Sequence, residues 1–486
     1  MAELKVDHGM MPDWGRADLP APPPISAKNV WAVVGPGTIA LSMSIGSGEW
    51  LMGPALGVKF GPAILWITTV AVILQVILNM EFARYVMYTG ETCFSGYMRC
   101  RPGPKFWGWL YVIFGFFQVG WPGWAGGAAA ALFAAFIGHI PGAPDKGVLM
   151  AFTYLTFALT VLFLLWGGTV ERGLEKIMTV MVIAIFAGLL IFNLGFVDAA
   201  TWWRVFKGLF SFGVIPKGVD VLLLGAFAAY SGAGGMGNIW TASWLRDKGY
   251  GMGSLVGAIP SAIGAKEIKL SPIGTIFDPA KGDNLKNWKT WWKYLWWDQG
   301  AVFGGGCIVG MYLCVLIAVA VIPFGTSLTG IAAGAYQAEY MMKFWAPLWF
   351  LALFVGFWIL YGTQLSVMDG YVRTVTDIVW SSTKKPHTWK AGPKAVYYLA
   401  LLIFVAWGCI AINLAAPMVL IMIGANMAGF CFIISSLQQL VVNNTMLPKE
   451  VRPPLWRNIG LVCVAIFYSF FVLALVGKQT GWWSFV

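Results

Sequence analysis

Runs of about 20 apolar residues recur along nearly the whole chain, and that is the length a helix needs to cross hydrocarbon. Backbone polar groups find no water in the bilayer core, so only helices and closed barrels can span it. A barrel reads as shorter segments that alternate apolar and polar residues, and these runs do not alternate. Only 11% of the 486 residues are charged and 59% are hydrophobic, whereas a soluble domain carries about 25% charged residues. The expected fold class is an all-α polytopic membrane protein.

The pattern resolves into eleven spans, near 31–58, 62–83, 106–138, 147–167, 174–197, 218–245, 300–324, 344–368, 395–413, 416–441 and 456–477. The net charge of +11 does not point to nucleic acid. Roughly 25 of the 32 Lys and Arg fall in loops on the side of the N-terminus, which the positive-inside rule makes cytoplasmic. The 27 Trp suit interfacial belts, and a multi-pass protein of the plasma (inner) membrane is expected. Residues 1–29, including "LPAPPPIS", are polar and Pro-rich and lack a signal peptide's apolar core. They read as a flexible cytoplasmic tail ahead of one transmembrane domain, 30–478. The loop 246–299 carries "KNWKTWWKYLWWDQ", whose Lys and Trp predict an amphipathic helix in the interface, and 370–381 predicts another. The seven Cys include no CxxC pair, so neither a disulfide framework nor a zinc site is indicated. Glycine-rich faces at 123–131 and 304–310 read as close helix packing.

Two stretches break the apolar pattern. In "SIGSGEW" (44–50) the first span carries Gly46, Ser47, Gly48 and then a carboxylate, Glu49, near its middle. A central acid costs about 2.5–3.5 kcal/mol on insertion scales, so it must face a cavity, meet a cation or be protonated. In "AAYSGAGGMGNIW" (228–240) the sixth span carries Ser231, Gly232, Gly235, Met236 and Asn238. Gly232, Gly234 and Gly237 formally satisfy GxGxxG, but a dinucleotide site needs a preceding strand and a βαβ unit. The physical reading is a helix that unwinds at mid-membrane. Unwound segments in spans one and six match two inverted five-helix repeats, about 31–197 and 218–441, with an extra helix at 456–477 and the substrate at the midplane. Glu81 and Arg84 pair three apart at the cytoplasmic end of span two by snorkelling. Asp369 ends span eight and reaches water, while Gln364 and Asn426 are helix–helix contacts, Asn426 being also a substrate-site candidate. His8, His139 and His387 fall in loops or termini, and no nucleophile–base pair is visible, so catalysis is not indicated.

"GPGTIALSMSIGSGEW" (35–50) resembles the first helix of the Nramp family of divalent metal transporters, whose pattern runs GPG, a Ser-containing stretch and Asp-Pro-Gly-Asn. "GNIWTAS" (237–243) resembles that family's sixth helix, and "ERGLEKIMTVMV" (171–182) the start of its fifth. The resemblance implies a LeuT-like inverted repeat with helices one and six unwound, within the amino acid–polyamine–organocation superfamily. The departures sit in the site. The family's metal-binding Asp aligns with Gly46, its Pro with Ser47, its Asn with Glu49 and its metal-selecting Met with Gly235 beside Met236. The His of its proton route aligns with Gly237, and its acidic pair in helix three with Gly120 and Gly123.

A carboxylate moved by three residues stays on the same helical face. With no thiolate or imidazole beside it, oxygen ligands favour a hard ion such as Mg²⁺ or Mn²⁺, partly hydrated. The expectation is an Nramp-related secondary transporter moving a cation through Glu49 by alternating access, weakly or not coupled to protons. The substrate cation is the only metal expected, the other partner is the lipid bilayer, and the oligomeric state is open. The alternatives are an amino acid or organic cation transporter on the same fold, or a non-transporting subunit of a membrane complex.

Overall fold

The computed structural model describes residues 8–264, 269–328 and 335–482. In chain order its principal helices are α1 (Ala27–Val33), α2 (Pro36–Phe60), α3 (Pro62–Thr89), α4 (Cys93–Arg99), α5 (Pro104–Val119), α6 (Gly123–Ile137), α7 (Lys146–Leu164), α8 (Val170–Phe196), α9 (Ala199–Gly208), α10 (Val221–Tyr230), α11 (Met236–Lys248), α12 (Asn284–Val321), α13 (Leu348–Ser382), α14 (Pro393–Ala411), α15 (Pro417–Thr445) and α16 (Leu455–Thr480). Proline opens α2, α3, α5, α14 and α15, where its missing N–H is one no helix uses and its φ is already helical. The protein is a polytopic all-α membrane protein. Among the described residues eight helices are long and apolar enough to cross a membrane, nine if α1 and α2 count as one bent span.

α13 is the centre of the bundle and packs on α2, α5, α6 and α8. α2 lies between α8, α12 and α13, and the pair α10–α11 closes on α3, α15 and α16. The outer faces of α7, α8, α14 and α16 carry exposed Val, Ile, Leu and Phe, the surface expected against lipid.

The structure corrects the segmentation in five places. The third span is two helices, α5 and α6, because Pro122 in "GWPG" cannot donate to a helical ladder and pushes Trp121 out of the helical region. The helix expected in the interface at 284–295 is the start of the 38-residue α12, and 370–381 is the end of the 35-residue α13. The charges at the end of α13 look like loop charges in the sequence, but inside the bundle they are paired. Arg373 is bound by Asp369 and Asp247, and Arg246 by Asp377 at 2.6 Å. Fourth, Asp369 does not reach water: it is fully buried mid-helix, accepting from Trp244 Nε1 at 2.7 Å and Tyr397 OH at 2.6 Å.

Fifth, the N-terminal segment is packed from residue 8 onward. Gly15–Arg16 (β1) pairs in parallel with Thr275–Ile276 (β2), and Met11, Trp14 and Leu19 are buried. Trp14 lies 4.0 Å from the Arg99 guanidinium, whose Nη1 also donates to the carbonyls of His8 and Pro12. Asn284, Asn287, Trp291 and Tyr294 of α12 bond to Leu19, Pro20, Pro23 and Pro24. The amphipathic face of "KNWKTWW" meets this strap rather than lipid. Beneath it, burial alone would raise the Glu91 carboxyl, but the Arg99 guanidinium and the Gly274 amide outweigh burial and hold it below the ordinary carboxylate range.

Candidate functional site

The first helix does not unwind at 45–49. α1 and α2 bend by 63° at residues 34–35, and α2 then runs on through Ile45–Met52 as π-helical turns. A π segment inserts one residue per turn without giving up the helical ladder, so the break expected here is a widening instead. The glycines in it serve close approach. A Cβ on Gly48 would stand 1.9 Å from the Tyr230 carbonyl oxygen, and one on Gly46 2.0 Å from Thr363 Oγ1. Gly46 therefore faces α13, where Thr363 donates its hydroxyl to the Met43 carbonyl at 2.8 Å.

Glu49 is fully buried at the same level. The Gly232 amide of the sixth span faces its carboxylate, and Cys307 and Cys314 of α12 lie alongside. Neither carboxylate oxygen has a hydrogen-bond partner. With only the Glu49 and Gly232 backbone amides near it and no side-chain donor, this buried carboxylate is under-satisfied, which is costly.

The sixth span does break. α10 ends at Tyr230 and α11 begins at Met236. Between them Gly232, Gly234 and Gly235 take φ of 109°, 71° and 62°, which a side chain would resist, and this is why the turn is written in glycine. The freed backbone is met by two carboxamides. Gln75 of α3 donates to the Ser231 carbonyl at 2.8 Å and accepts from the Ala233 amide at 2.8 Å. Gln118 of α5 donates to the Gly234 carbonyl at 2.5 Å and accepts from the Met236 amide at 3.1 Å. The Ser231 hydroxyl bonds to Thr68 and to the Phe227 carbonyl.

From Gln75 a line of polar side chains runs toward the start of α2. Asn238 donates to Gln75 and, at 2.8 Å, to Asn79; Asn79 donates to Gln299; Gln299 donates to Asp298 at 2.7 Å. Asp298 caps α2 by accepting from the Gly35 and Gly37 amides, both at 2.9 Å. Gln75, Asn79, Gln118, Asp298 and Gln299 were not singled out from the sequence. Their signal was there: "QVILN" places Gln75 and Asn79 one helical turn apart on a single polar face of an apolar span.

Of the residues expected at the site, Glu49, Ser231, Gly232, Gly235, Met236 and Asn238 lie at or beside the break. Gly235 packs on Gln118 and the Ala428 carbonyl, and the Met236 methyl points toward Gly115 of α5. Ser47 is buried on the π segment. Asn426 is elsewhere: it donates to Leu222 at the far end of α10 and to Met422. Gln364 makes no strong helix–helix bond, meeting only Met368 Sδ at 4.0 Å, and lines a small apolar cavity with Trp124, Phe157 and Trp407. Glu81 and Arg84 pair at 2.7 Å as expected, yet both are buried rather than snorkelling: Glu81 also accepts from Arg457 and Asn443, and Arg84 donates to the Val451 carbonyl. The glycines aligned with a proton route are filled space. A Cβ at Gly237 would meet the Met43 methyl at 2.4 Å, and one at Gly123 the Pro417 carbonyl at 2.4 Å.

The fold recurs in solved structures. The manganese transporter of Eremococcus coleocola, in a mutant form, matches at 15% identity with a TM-score of 0.66, covering 95% of this chain and 90% of that one. The fold is that of the LeuT-type transporters. Its complex with an aromatic bis-isothiourea compound matches at 16% identity and 0.64, over 96% and 91% of the two chains. A nucleobase-cation-symport-1 family transporter, closed on bromovinylhydantoin, matches at 11% and 0.52, over 93% of this chain and 94% of that one. MhsT bound to L-phenylalanine matches at 11% and 0.50, over 90% and 97%. No family model matches the sequence, and no curated protein is similar to it in sequence. At these identities the likeness establishes the fold, and the chemistry rests on this chain's own residues.

Proposed function

We propose that the protein is an Nramp-related secondary transporter that binds one small cation at Glu49 and carries it by alternating access. The observation that carries this reading is the Glu49 carboxylate, enclosed against the broken sixth span with both oxygens unpartnered. An arriving cation supplies what the site lacks, and the fold supplies the two-sided access such a site requires. The carboxylate is a hard ligand and favours a hard ion. The resemblance points to Mg²⁺ or Mn²⁺, which at a single carboxylate would keep part of its water. Transport is weakly or not coupled to protons, because Gly120, Gly123 and Gly237 cannot titrate and their space is occupied.

The test is cation flux into liposomes holding the purified protein and a pH dye. Flux that vanishes in Glu49→Gln, with no accompanying acidification, supports the reading. Flux of an amino acid that ignores Glu49 points to the other substrate class of this fold. Failure of every cation and amine to move or bind points to a non-transporting subunit.

A further inference from the structure

Gln75 and Gln118 treat the break in the same way. Each donates to the carbonyl of one residue and accepts from the amide two residues on, Ser231 and Ala233 for Gln75, Gly234 and Met236 for Gln118. Each carboxamide stands where the peptide group of a neighbouring strand would stand. In unwound membrane helices those freed carbonyls are what coordinate an ion, and the freed amides are what receive a substrate carboxylate. Here two of those carbonyls and two of those amides are already taken. A cation approaching Ser231 O or Gly234 O meets the positive end of a carboxamide dipole, and an anionic group approaching Ala233 N or Met236 N meets a carboxamide oxygen. The acidic group left at this level is the Glu49 carboxylate, with the Gly232 amide facing it and the neutral Asn238 Oδ1 also unpartnered beside the break. Among the described residues no group of three or more His, Cys, Asp or Glu is placed so that it could hold a metal ion. One carboxylate balances one charge. A divalent ion would stay half-compensated in an enclosed site, where uncompensated charge is most costly.

We infer that Gln75 and Gln118 set the substrate class: they occupy the Ser231 and Gly234 carbonyls and the Ala233 and Met236 amides and leave Glu49, the one acid at the break, to hold a single positive charge, an alkali ion or a small protonated amine. The inference rests on the cation reading of Glu49 and narrows it, displacing Mg²⁺ and Mn²⁺ and the zwitterionic amino acids. The two glutamines are positioning and selectivity residues that need not touch the substrate.

The experiment is a thermal-unfolding panel on the full-length protein in detergent, at matched ionic strength in choline chloride. Its probes are NaCl, KCl, methylammonium chloride, MgCl₂, MnCl₂ and L-phenylalanine. The expected result is a raised midpoint with at least one monovalent cation, absent in Glu49→Gln, and no Glu49-dependent shift with Mg²⁺, Mn²⁺ or the amino acid. The Na⁺, K⁺ and methylammonium arms tell an alkali ion from an amine. Gln75→Glu and, separately, Gln118→Glu replace a donor at the break with a second carboxylate. Each is expected to raise the apparent Mg²⁺ or Mn²⁺ affinity about tenfold or more while weakening the monovalent response. A purely structural role lowers all responses alike and leaves the monovalent-to-divalent ratio unchanged, which overturns the inference. Stabilisation of the unmodified protein by Mg²⁺ or Mn²⁺ through Glu49 also overturns it, whether or not either variant folds, and leaves the cation reading standing. No Glu49-dependent response to any cation removes the reading beneath it.

Discussion

Gly46 stands where the Nramp pattern has its metal-binding Asp, so adding a side chain there separates a missing ligand from a packing constraint. In Gly46→Ala the new Cβ would lie 2.0 Å from Thr363 Oγ1, 2.8 Å from Thr363 Cβ and 2.9 Å from the Ile359 carbonyl oxygen. Two of the three obstacles are on a β-branched side chain held by its hydroxyl to Met43, so the contact cannot be relieved by a flexible tip. Forcing a methyl into a filled core costs about 1–3 kcal/mol. Rotating Thr363 away forfeits its hydrogen bond, about 1 kcal/mol more. The expected loss is therefore about 2–4 kcal/mol, read as a lowered midpoint of denaturant unfolding in micelles. Gly147→Ala is the control, since nothing lies within 4 Å of its Cβ and no penalty is expected. In a Thr363→Ala background the cost of Gly46→Ala should fall by more than about 1 kcal/mol, because the two side chains compete for one space. Wild-type stability in Gly46→Ala, or penalties that simply add, would show that the close approach of α2 and α13 is not what excludes a side chain here. By the same geometry, Gly46→Asp should destabilise without creating a metal site.

Glu49→Gln removes a buried, unpartnered charge, so its unfolding midpoint without added cation should equal or exceed that of the wild type; a clear loss would mean the carboxylate is a structural contact. Asp298→Ala should cost about 1–2 kcal/mol and speed hydrogen exchange at residues 35–38, because two α2 amides lose their acceptor; unchanged exchange there would contradict the cap. Glu91, depressed below its ordinary value by Arg99 and Gly274 despite burial, gives the N-terminal strap a pH dependence. Its contribution is complete above the ordinary carboxylate range and is lost as pH falls through the lowered folded value. Protease access to residues 8–24 should therefore rise on strong acidification in wild type, and already at neutral pH in Arg99→Leu. Equal protection of that segment in the variant at neutral pH would count against the anchor.

The apolar runs were enough to settle class and membrane residence, because a segment of about 20 residues without charge has only one stable way to bury its backbone. The break in span six was legible for a similarly local reason: three glycines with positive φ are what an unwound turn requires. Glu49 stood out in the sequence because an acid in hydrocarbon is costly, and the structure buries it beside the break. The first span was not, since "GSG" is equally the signature of unwinding and of helices in close contact, and the Tyr230 and Thr363 neighbours that distinguish them come from elsewhere in the chain. Charged stretches such as "DGYVRTVTD" read as loop for the same reason: hydropathy counts Asp369, Arg373 and Asp377 one by one, whereas α11 and α13 bring Asp247 and Arg246 to pair with them. Gln75 and Gln118 are neutral and unremarkable along the chain. Only the packing of α3 and α5 against the break lays one carboxamide across Ser231 and Ala233 and the other across Gly234 and Met236. Composition and periodicity report what each residue costs in lipid; whether that cost is met depends on partners more than a hundred positions away, and those are chosen by the tertiary fold.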